Sequence, residues 1–199
     1  MRSQTAVMMA GLTVLVASIA TAVVMTVTHV ADSGPGHRDS MSAGSGAMAQ
    51  MHGTRVESEY DYLSEMVAHH EEAVAAAREL ERSERPEMRA FGASIVGSQT
   101  AQIDQMVQWL DEWYPDRSGR VDYEPMMRDL TGLSGDELDR AFLQDMTGHH
   151  MGAVMMSQQL LVGDLVTRAE VEELATTIRD DQHAEIFQMQ QWLHEWFGR

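Results

Sequence analysis

Cysteine is absent from the 199 residues. No disulfide framework, thiolate metal site or lipoprotein anchor is therefore available. Lysine is absent too: all 14 basic residues are arginine, against 31 acidic ones. The net charge of −17 leaves no basic footprint for nucleic acid and favours cations, or simple solubility. Proline is scarce. Pro35, Pro86, Pro115 and Pro125 fall where the hydrophobic pattern pauses. Methionine, by contrast, is abundant, with 17 residues. Thioethers fill irregular helical cores, and they are also soft metal ligands. A hydrophobic share of 44% is enough for a core, in one or two domains.

Ala6 to Val27 carry no charge over 22 residues, enough to cross a bilayer as one helix. Arg2 before this run sets a membrane anchor with the N-terminus inside; a cleaved signal peptide is the rival reading. Both put the remainder outside the cytoplasmic membrane. Residues 1–30 thus form the membrane or signal segment. Residues 31–56 are a linker, with Gly34, Pro35, Gly36, Gly44 and Gly46 among Ser and Ala. Met41, Met48, Met51, His37 and His52 lie along it. They are either incidental to a tether or a soft capture arm for copper or silver.

Residues 57–199 contain a duplication. Tyr62-Leu-Ser-Glu65-Met66-Val-Ala-His69-His70 is answered by Phe142-Leu-Gln-Asp145-Met146-Thr-Gly-His149-His150. Gln105-Met-Val-Gln-Trp109-Leu-Asp-Glu-Trp113 is answered by Gln188-Met-Gln-Gln-Trp192-Leu-His-Glu-Trp196. Two helices per copy are expected, with repeats over about 57–114 and 134–197. The first helix starts near Ser58. Pro86 opens the second, which ends before Pro115. Ser134-Gly-Asp-Glu137 and Thr167-Arg-Ala-Glu170 have capping-box spacing and open the third and fourth, and Gly163 stops the third. The expected fold is all-α: a four-helix bundle of two repeated hairpins, monomeric or homodimeric.

At 100° per residue, Phe142, Met146, Ala153 and Leu160 form the core stripe of the third helix. His149 and His150 flank that stripe and diverge from each other, so one imidazole can meet an ion while the other reaches a neighbouring helix. Asp145 and Met146 lie one turn away, and Glu185 faces them from the fourth helix. The first repeat sets Glu65, Met66, His69 and His70 the same way, but Gln102 stands where Glu185 does. Four imidazoles in an apolar bundle require hydrogen bonds or metal. These nine residues are the candidate metal ligands, the second repeat being the more strongly charged. Binding is expected to weaken near pH 6.5, about the histidine pKa. Met151 and Met155, four apart on the outward face, form a second candidate soft site. His183 and His194 are expected in solvent.

Phe142-Leu-x-x-Met146-x-x-His149-His150-x-x-Ala153-x-x-Met156 and Gln182-x-x-Glu185-Ile186-x-x-Met189-x-x-Trp192-Leu193 resemble the bacterial "domain of unknown function 305" family. The resemblance covers about Glu57 to Phe197. It implies a ferritin-like helical bundle, export, and in some members a link to copper or silver tolerance. Di-iron proteins carry Glu-x-x-His on two helices; here the second helices carry Gln99-x-x-Gln102 and Gln182-x-x-Glu185. The expected function is an exported metal-binding protein, with copper the first choice of ion. A ferritin-like oxidoreductase and a structural module with a polar core are the alternatives.

Overall fold

The computed structural model describes residues 55–117 and 121–198. The expected membrane segment and nearly all of the linker lie outside them. Among the described residues no helix is long and apolar enough to cross a membrane.

The described residues form helices α1 (Glu59–Arg78), α2 (Pro86–Trp113), α3 (Gly135–Val162) and α4 (Ala169–Phe197), with a 3₁₀ turn at Glu79–Arg82. The Ser58 hydroxyl accepts the Asp61 N–H at 3.2 Å, so α1 starts on its own sequence signal. The later capping boxes behave differently. Ser134 is the N-cap of α3 but bonds no backbone amide through its side chain. The N-cap of α4 is Arg168, not Thr167. The Thr167 and Arg168 amides instead donate to the Glu59 carboxylate, at 2.8 and 3.0 Å. A buried acid from the other hairpin thus holds the chain entering α4. Gly163 ends α3 without left-handed geometry; Asp164 takes that conformation, at φ 55°.

α1 packs on α2, α3 packs on α4, and the hairpins meet chiefly through α1 and α3. Apolar burial falls into two clusters. One joins the end of α1, the starts of α2 and α3 and the end of α4, through Ala77, Met88, Phe142 and Met189. The other joins the opposite ends, through Tyr62, Met106, Leu160 and Ile178. Each large side chain so buried contributes about 1.5–3 kcal/mol. At Gly92 a Cβ would stand 2.7 Å from the Ala77 carbonyl oxygen, so glycine is what lets α2 approach α1 here.

A matched clasp closes each end. Arg85, before α2, binds the fully buried Asp139 of α3 at 2.6 Å and lies 4.8 Å over the ring of Trp196. Arg168, before α4, binds the buried Glu59 of α1 at 2.6 Å and lies 4.3 Å over Trp113. Each arginine reaches from its own hairpin to an acid and a tryptophan of the other. The tryptophans stack in pairs one turn apart, Trp109 on Trp113 and Trp192 on Trp196, and cap the bundle ends.

Candidate metal centre

The middle of the bundle separates the two apolar clusters with a polar layer. His69, His70, His149 and His150 are at most 1% exposed. Helical geometry dictates their division of labour. Adjacent histidines diverge by about 100°, so one of each pair faces the other hairpin and one faces its own. His69 and His149 meet across the α1–α3 contact with ring centroids 3.6 Å apart. His70 turns to Gln102 of α2, its Nε2 2.9 Å from the amide oxygen. His150 turns to Glu185 of α4, its Nε2 2.6 Å from the carboxylate.

Each Nε2 confronts an oxygen. His69 Nε2 is 3.0 Å from the His149 carbonyl oxygen, and His149 Nε2 is 3.1 Å from Glu72. Carbonyl and carboxylate oxygens only accept, so each ring carries a proton on Nε2, which leaves the Nδ1 lone pair free in the neutral rings. All four Nδ1 atoms are buried without a partner. Gln99 Oε1 and both amide atoms of Gln182, on the inward faces of α2 and α4, are likewise unpaired. Orphaned buried polar atoms cost stability, on the order of 1–3 kcal/mol each, unless a ligand or water meets them.

Burial also favours the neutral form of three of the imidazoles, His69, His70 and His149. It pushes His69 well below the usual range, reinforced by repulsion from the neighbouring imidazoles. His70 falls to about 3 through burial, against the opposing Gln102 hydrogen bond. His149 is lowered by burial even though Glu72 favours its charged form. A neutral imidazole is the ligand form.

Two residues of the layer escaped the sequence reading. Glu72, one turn beyond His69, meets His149 and accepts from Tyr123 Oη and, at 2.8 Å each, from the Met126 and Met127 amides. Burial raises its carboxyl pKa, but those hydrogen bonds outweigh burial and bring it to about 2. It thereby fastens the α2–α3 connection over the histidines. Tyr123 stands edge-on to His69, ring centroids 6.3 Å apart. The His69-x-x-Glu72 spacing was the available signal for Glu72. Nothing local marked Tyr123, because its contact spans 51 residues.

The other sequence candidates divide. Glu185 joins His150 as its position on α4 suggested. Asp145 is turned to Arg128, which binds it through Nε and Nη2 at 2.6 Å each. That cation satisfies Asp145 away from the imidazoles. Met66 and Met146 are fully buried, one in each apolar cluster. Glu65 is half-buried and adds negative potential at Tyr123. Of the outward methionines, Met155 is exposed and Met151 is half-buried against an apolar cluster. His183 and His194 are exposed. Among the described residues no three His, Asp or Glu side chains are gathered ready for a metal ion. A surface groove of about 760 Å³ lies along Met155, Gln159, Val162 and Leu165 and includes no histidine.

The family model described as "Domain of unknown function (DUF305)" matches residues 3–110 and 59–193. Among solved structures, CopM in its Cu(I)-bound form is similar at 29% identity and a TM-score of 0.64, over 72% of this chain and 100% of that one. Its Ag-bound and Cu(II)-bound forms match at TM-scores of 0.63 and 0.61. A DUF305 fragment from Deinococcus radiodurans is 31% identical, TM-score 0.62, over 71% of this chain and 98% of that one. A presumed secreted DUF305 protein from Streptomyces coelicolor is 26% identical, TM-score 0.62, over 69% and 93%. No curated protein matches the chain in sequence.

Proposed function

We propose that this chain, which belongs to the DUF305 family, is an exported protein that binds copper or silver and holds or passes the ions on without chemistry. The observation that carries this reading is the buried layer of four imidazoles whose Nδ1 atoms have no partner. Its support from outside the chain is the similarity to CopM, which has been crystallised with Cu(I), Ag and Cu(II). The donor types fit both copper oxidation states, since imidazole and carboxylate suit Cu(II) while imidazole and thioether suit Cu(I) and Ag(I).

His149, His150, His69 and His70 are the proposed donors, with Glu72 and Glu185 beside them. A carboxylate on the Nε2–H side of an imidazole raises the basicity of the opposite nitrogen and fixes the ring, a common support for metal-binding histidine. Glu72 stands in that relation to His149, and Glu185 to His150. Export rests on the uncharged run Ala6–Val27, as a membrane anchor or a signal peptide, and on the presumed secretion of the Streptomyces relative.

The test is titration of the full chain with Cu(II) and Ag(I), comparing wild type, His149→Ala/His150→Ala and His69→Ala/His70→Ala, with circular dichroism confirming the fold. The second-repeat variant should lose affinity by about tenfold or more, and the first-repeat variant by less. Unchanged affinity in both, with helicity intact, would leave the histidines as a structural polar layer.

A further inference from the structure

Besides Gln102 and Glu185, the two repeats differ at a further position beside the histidines. Glu72 follows His69 by three residues; the same position after His149 is Gly152. The carboxylate closes one side of the His69–His149 pair, and the missing side chain opens the other. A Cβ on Gly152 would stand 3.2 Å from His69 Nε2 and 3.7 Å from Met126 Sδ. An imidazole nitrogen and a thioether sulfur therefore look onto the same small space, and a larger residue at 152 would occupy it.

Met126 is placed there by construction. Its amide donates to Glu72 Oε1 at 2.8 Å, so the first repeat's carboxylate holds the connection over the second repeat's glycine. Its neighbour Met127 is half-buried and packs against an apolar cluster, whereas Met126 is 44% exposed. Met127 accounts for the packing of this stretch. The exposed Met126 side chain thus borders the same gap as the buried His69.

We propose that Met126 Sδ and His69 Nε2, across the gap left by Gly152, form a site for soft monovalent cations, Cu(I) or Ag(I), at the mouth of the histidine layer. This rests on the reading above that the chain binds such ions, and adds where they first meet protein. Thioether with imidazole suits Cu(I) and Ag(I) and offers little to Cu(II), which prefers nitrogen and oxygen. Ligation moves the ring proton of His69 from Nε2 to Nδ1 and gives up the 3.0 Å bond to the His149 carbonyl oxygen. The imidazole stays neutral and no proton is released.

The experiment uses full-length protein carrying [¹³C-methyl]methionine, titrated with Ag(I). The signal absent from Met126→Leu identifies the Met126 methyl, and reads this site directly whatever the linker methionines bind. It should shift with the first equivalents of Ag(I). Met126→Leu, which keeps the bulk, should weaken Ag(I) binding by about tenfold while leaving Cu(II) affinity unchanged, and Gly152→Ala, which fills the gap, should weaken Ag(I) binding by a similar factor. A Met126 signal that stays in place while the protein binds Ag(I) would overturn this site alone, as would a Met126→Leu protein that binds Ag(I) as tightly as wild type. Wild type binding no Ag(I) would overturn the broader function with it.

Discussion

The two hairpins descend from one pattern yet treat their histidines unequally. In the second repeat both imidazoles face carboxylates, His149 on Glu72 and His150 on Glu185. In the first, both face neutral oxygens, His69 on a backbone carbonyl and His70 on the Gln102 amide. Only one of the two carboxylates belongs to the second repeat; the other crosses over from α1. The duplication preserved the imidazoles and the end clasps, and divergence at two positions, Glu72/Gly152 and Gln102/Glu185, moved the negative charge to one side. A symmetric scaffold thus carries an asymmetric donor set.

The clasps test the symmetry most severely. Arg85→Ala would leave Asp139 buried with no cation, and should cost about 3–5 kcal/mol in urea unfolding. Arg168→Ala should cost less, because Glu59 keeps the Thr167 and Arg168 amides and the Tyr114 hydroxyl. Equal losses would mean that those extra donors do not support Glu59.

The charge asymmetry can be reversed by exchange. Glu185→Gln should lower Cu(II) affinity by about tenfold, and Gln102→Glu should raise the contribution of the first repeat by a similar factor. Calorimetric titration of both variants and their combination reads this directly. If the double exchange leaves the preferred repeat unchanged, Glu72 rather than Glu185 sets the preference.

The hairpins also differ in how their histidines respond to pH. His69, His70 and His149 have pKa values in the fold below the ordinary 6.5. Below 6.5 the unfolded chain therefore binds more protons than the folded one. Their contribution to stability is complete above 6.5 and fades as pH falls toward the folded values, at up to about 1.4 kcal/mol per pH unit for each group. Glu72 adds the same sign lower down, between 4.5 and about 2. Thermal melts from neutral to acid pH should be flat at first and then decline. His69→Gln/His70→Gln should flatten that decline more than His149→Gln. Metal binding should also persist below pH 6.5, because the fold keeps these ligands neutral; the sequence alone suggested loss near that pH.

Much of the site was legible beforehand because it is helical. Spacing puts His69, His70, His149 and His150 beside buried stripes, and the four are buried. Offset and period likewise brought Glu185 to face His150. Spacing along the chain did not show the tertiary partners of the remaining candidates. Asp145 has the right spacing to His149, but Arg128 lies across it and takes both oxygens. Met66 and Met146 share the histidine turn, yet each points into an apolar cluster. The capping box at Thr167 gave way to Glu59, 108 residues away.

By itself, the sequence determined the helices, their duplication and the burial of the imidazoles, because 3.6-residue periodicity and end signals act within a few residues. Tertiary structure alone decided which oxygen each imidazole meets, which arginine neutralises each buried acid, and that Glu72 serves the opposite repeat. Those pairings depend on which helix faces come together and where the connection crosses them. Hydrogen bonds and ion pairs act over about 3 Å of space regardless of separation along the chain.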